Sequence, residues 1–136
     1  MPSLSVSSGW VAVALIVLAA SVPLSQRAFV HRRALPGSPP IRLHVFLGLA
    51  TTAAALGHSL AVLPSLGSPS VVGAGMLAVA PAMLGFFLLF AHVGVGLQLR
   101  EPKLKDRAKK RRLHVMLASG IALAVTAHIV ALAYGG

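Results

Sequence analysis

Four histidines stand in two apolar stretches at one repeated spacing, His44 and His58 in the first, His114 and His128 in the second. Both gaps are 14 residues (58 − 44 and 128 − 114). The surrounding text repeats 70 positions on, Arg42-Leu43-His44-Val45 against Arg112-Leu113-His114-Val115, and Leu47/Leu117, Ala54/Ala124 and Ala61/Ala131 match as well. Neutral imidazole is a good ligand for haem iron, and two matched pairs suit two bis-histidine b haems. A single intramembrane histidine has other uses, as a proton relay, an interhelical hydrogen bond or a metal ligand.

A hydrophobic content of 57%, 10% charged residues and a mean hydropathy of +0.86 exclude a water-soluble domain. Four apolar runs, roughly 9–30, 41–63, 71–99 and 113–134, each have about the twenty residues a helix needs to cross a bilayer. They use nearly the whole chain, so residues 1–136 read as a single domain. The runs are continuous and lack the alternation of a barrel strand. The expected fold is all-α, a four-helix transmembrane bundle with an internal two-helix repeat. Pro23 and Pro81 fall inside runs one and three, where kinks are expected and neighbouring groups must satisfy the freed carbonyls. No Lys or Arg precedes run one, the wrong flank for a cleaved signal peptide.

Fourteen residues on a straight helix fall about 40° short of four turns, and supercoiling toward 3.5 residues per turn removes most of that error. Both imidazoles of a helix then share one seam, about 21 Å apart along its axis. Spans two and four run in the same direction because span three lies between them. The pairing expected is therefore His44 with His114 and His58 with His128, each pair holding one iron. The second ring nitrogen of each ligand needs a partner, expected to be a backbone carbonyl one turn earlier.

Gly48, Gly57, Ala118, Gly120, Ala124 and Ala127 offer the small neighbours that a porphyrin between helices requires, although membrane helices use small residues for ordinary packing too. Thr51, midway between His44 and His58, is expected to bond its own helix carbonyl. Arg42 and Arg112 precede the first ligand of each pair by two positions, within reach of haem propionates or acting as topology anchors. His92 lacks a mate 70 positions away and a partner at its depth; it would touch a haem edge or face a neighbour. His31 reads as a solvated interfacial residue.

The cations are segregated: Arg27, Arg32, Arg33 and Arg42 surround the first connector, and the other eight lie between Arg100 and Arg112. By the positive-inside rule both connectors are cytoplasmic and both termini extracytoplasmic, in what is expected to be a bacterial inner (plasma) membrane. The formal charge of +10 is thus mostly topology. It does not point to nucleic acid, and the basic cluster would contact anionic lipid or an acidic partner.

With H-x13-H on its second and fourth spans, the chain resembles the haem-binding half of cytochrome b in quinol:cytochrome c oxidoreductases, and is similar to the membrane core of ferric reductases and NADPH oxidases. In those families the paired histidines ligate two stacked b haems that carry electrons across the membrane. The resemblance implies that role for His44, His58, His114 and His128, with two haem b as cofactors. It also implies a redox partner protein or a quinone, and leaves room for a homo-oligomer or a larger complex. The further helices and the Pro-Glu-Trp-Tyr motif of the first family are absent, as are the flavin and nicotinamide domains of the second.

No cysteine is present, which excludes thiolate-ligated clusters and covalent haem. The acidic residues are Glu101 and Asp106, neither within a span. An electron-transfer subunit is therefore expected rather than a complete oxidoreductase. The rival readings are a small reductase delivering electrons to ferric iron or oxygen, and a haem-free assembly subunit or histidine-lined metal or proton conduit.

Overall fold

The computed structural model describes residues 4–31, 34–67 and 69–134, with backbone alone over 69–77. Arg32 and Arg33, which bear on the charge argument above, lie outside the described residues, as does Ser68. Four helices follow one another: α1 (Leu4–Ser25), α2 (Pro39–Val62), α3 (Pro69–Gln98) and α4 (Arg107–Tyr134). Among the described residues there is no strand. All four helices are long and apolar enough to cross a bilayer, and the chain is an integral membrane protein.

Side-chain size is distributed as lipid demands. Trp10, Phe46, Phe87 and Leu123 are exposed, while the buried apolar positions include Ala12, Ala78 and Ala124. Lipid tails solvate large apolar groups as well as a protein core does, so helices gain by close approach over small residues instead.

The chain divides into two compact units, Met1–Ala61 with Gly96–Lys105, and Val62–Val95 with Asp106–Gly136. The first contains α1 and nearly all of α2; the second contains most of α3 and all of α4. This division follows the 70-residue repeat, one helix pair per copy.

Local chemistry explains the helix ends. Pro23 sits inside α1, and three residues later the ladder widens into a π-helical turn, Gln26–Val30, closed by His31 in the left-handed region at φ 54°. His31 is exposed there. Pro81 is carried within α3 without a break. α4 begins six residues before its apolar run, so Arg107–Arg112 is helical rather than part of the charged connector. Lys and Arg are good helix formers. At 28 residues α4 is about 42 Å long, against about 30 Å of hydrocarbon, which leaves its basic turns in the headgroup layer.

Candidate functional site

The first unit places both of its candidate ligands against α1. His44 donates Nδ1–H to the carbonyl of Ala19 at 2.8 Å. His58 sits 3.1 Å by Nδ1 from the hydroxyl of Ser8. The same hydroxyl lies 3.0 Å from the carbonyl of Ser5, so its one proton serves either that carbonyl or the imidazole. Gly9 lies under the same ring: a Cβ there would stand 3.2 Å from His58 Cε1 and 3.4 Å from Nδ1. Nothing larger than glycine lets α1 come so near the imidazole without displacing it.

In the second unit His128 donates Nδ1–H to the carbonyl of Ala78 at 2.7 Å. His114 donates to the carbonyl of His92 at 3.2 Å, and His92 donates back to the carbonyl of His114 at 3.1 Å. The two rings are stacked, with centroids 3.7 Å apart. His92 thus has a partner at its depth after all, in the neighbouring helix, and that partner is a candidate ligand.

These bonds fix a chemical state. A carbonyl can only accept, so Nδ1 of His44, His92, His114 and His128 carries hydrogen; the Ser8 hydroxyl can give or take a proton, and His58 is compatible with it in either tautomer. In the neutral ring the lone pair then resides on Nε2, the nitrogen that binds a metal while Nδ1–H is held by an outer partner. That partner differs from the one expected. It comes from the adjacent helix in all five cases rather than from the preceding turn of the same helix.

The repeat extends to one of these partners. Ser8 and Ala78 are 70 positions apart, as are His58 and His128, so the same register joins each helix pair at that end. Sequence matching had marked only the histidine-bearing helices. The 70-residue offset relates position 8 to position 78, but only the packing of each helix pair shows that these positions meet a histidine.

Other expected residues divide. Thr51 is buried and donates to the carbonyl of Leu47 at 2.8 Å, the local bond expected of it. Gly120 and Ala124 pack α4 on α3: a Cβ on Gly120 would meet Leu88 at 3.1 Å, and one on Gly85 would meet Ala124 at 3.4 Å. Gly48 and Gly57 face open space, and Ala118 and Ala127 are exposed. An open apolar groove of about 560 Å³ runs between α3 and α4, with Pro81, Leu84, Gly120 and Ala127 in its wall. Arg42 is exposed in the first turn of α2 and Arg112 in the second turn of α4.

Among the described residues no three His, Cys, Asp or Glu side chains come together as a metal centre. A macrocycle that already supplies four nitrogens asks for only two axial imidazoles, and the Nδ1–H tautomers suit that donor set. Compared with protein-family models, curated proteins and solved structures, the chain matches none.

Proposed function

We propose that this protein is a diheme b-type cytochrome that carries electrons across the membrane between partner proteins or a quinone pool. The observation that carries it is the shared tautomer of His44, His114 and His128, each with Nδ1–H donated to a carbonyl of the adjacent helix, with His58 held at Nδ1 by the Ser8 hydroxyl. Such an outer bond orients an axial histidine and raises its basicity. Haem iron, when bound, supplies one-electron exchange between its ferric and ferrous states.

The chain's own part is to present Nε2 atoms at fixed depths and to keep them dry. The 14-residue spacing sets two levels about 21 Å apart, most of the hydrocarbon thickness. The pairing of His44 with His114 and of His58 with His128 comes from the order of ligands along four consecutive spans. Arg42 and Arg112 provide cations for propionates at the end nearer His44 and His114. On the charge segregation both termini are extracytoplasmic, and a bacterial plasma membrane is the setting.

A pyridine haemochrome assay on protein purified from its native membrane tests this directly. About two haem b per chain, low-spin with sharp reduced α-bands, is the expected result. Protein without haem would sink the proposal. It would favour a histidine-lined conduit, a use to which His92 stacked on His114 is also suited.

A further inference from the structure

The acceptor for His44 lies directly before a proline. In an uninterrupted helix the carbonyl of Ala19 would receive the N–H of residue 23, but residue 23 is Pro and has none. His44 takes that carbonyl at 2.8 Å. Neighbouring carbonyls are already engaged by side chains, Leu18 by the Ser21 hydroxyl at 2.8 Å and Val22 by the Ser25 hydroxyl at 2.9 Å.

The repeat supplies an internal control. In the second unit His114 uses the carbonyl of His92, whose counterpart 70 positions earlier is Val22 (92 − 70 = 22). His44 passes over Val22 and bonds Ala19, three residues back. At the position that follows, the second unit has Val93 where the first has Pro23 (93 − 70 = 23). At the other end of the repeat Val11 stands in the first unit for Pro81 in the second (81 − 70 = 11). Pro81 frees the carbonyl of Leu77 (81 − 4 = 77), whereas His128 takes that of Ala78, whose helical donor would be the N–H of Ala82, so the coincidence of a histidine with a proline-freed carbonyl belongs to His44.

We infer that Pro23 is a positioning residue for His44: by withholding an N–H it releases the Ala19 carbonyl, which then fixes the tautomer and ring orientation of the imidazole. Pro23 need not touch His44 itself. A proline in a helix interior costs about 3 kcal/mol in a soluble host. In a membrane the freed carbonyl is costly too unless a donor reaches it, and the histidine is that donor.

The test uses the full-length protein, labelled with 15N-histidine, in lipid nanodiscs. P23A restores the missing N–H. The His44 Nδ1–H signal should then move upfield and exchange with deuterium about fivefold faster, the loss of roughly one net hydrogen bond. The His128 signal should stay. An α-hydroxy acid at position 23, which has neither ring nor N–H, should return the His44 signal to its original place. An unchanged His44 signal in P23A, or failure of the α-hydroxy acid to restore it, overturns the inference.

The role in electron transfer rests on the diheme proposal, but the imidazole measurement needs no haem, so the two fail separately. In haem-loaded protein P23A should raise the midpoint potential of one haem and leave the other, because a weaker Nδ1–H bond makes a less basic ligand. Equal shifts in both haems would count against a local action of Pro23.

Discussion

His92 and His114 lie ring on ring, 18° from parallel, and each gives its Nδ1–H to the backbone carbonyl of the other. The acceptor for His114 belongs to the main chain of residue 92, so it survives loss of the His92 side chain. His92→Ala should therefore keep haem content near two per chain, while the absorbance and potential of the haem bound by His114 shift. Loss of one full haem equivalent would show instead that His92 is a ligand.

Ser8 and Gly9 hold His58 from two directions, one through Nδ1 and one by leaving room for the ring. Ser8→Ala removes the hydroxyl that holds His58 Nδ1, a net cost of about 0.5–1.5 kcal/mol. Affinity for the haem bound by His58 should fall about 10–100-fold, the usual cost of removing an outer partner. Gly9→Ala brings a Cβ to 3.2 Å from the ring, so the imidazole must give by a few tenths of an ångström and haem affinity should change with it. Haem titration of the apoprotein checks both, and wild-type affinity in Ser8→Ala would remove Ser8 from the site.

Segregated cations require a definite topology. Position 67 should face the outside and position 103 the cytoplasm. The chain has no native cysteine, so Gly67→Cys and Lys103→Cys can be labelled singly in intact cells. Gly67→Cys should react with an impermeant maleimide before lysis and Lys103→Cys only after it. The opposite pattern inverts the orientation.

On the diheme proposal, electron transport across the bilayer uses both haem levels. In proteoliposomes with an impermeant reductant outside and a trapped acceptor inside, the intact protein should pass electrons. His44→Ala and His58→Ala should each slow transfer sharply, because removing either level leaves a gap of about 20 Å by helix rise. His44→Ala and His114→Ala should abolish the same haem in optical spectra, and His58→Ala and His128→Ala the other. Transfer indifferent to both levels, or turnover of NAD(P)H by the protein alone, would point to a self-contained reductase.

The sequence by itself determined that the chain spans a membrane as four helices, because hydropathy in runs of about twenty residues is a one-dimensional property. It also determined the repeat and the matched spacing of His44/His58 and His114/His128, since helical rise converts residue count into depth. Tertiary structure alone decided what each Nδ1 touches. The partners of His44 and His58 lie 25 and 50 residues away on α1, and neighbours in space leave no mark in local periodicity. His92 had no repeat mate, so only helix packing could bring it onto His114. Pro23 was legible as a break in the hydrogen-bond ladder. Which side chain would use the freed carbonyl depended on how closely α2 approached α1, a distance set by Gly9 and Ala12 together with everything else between the two helices.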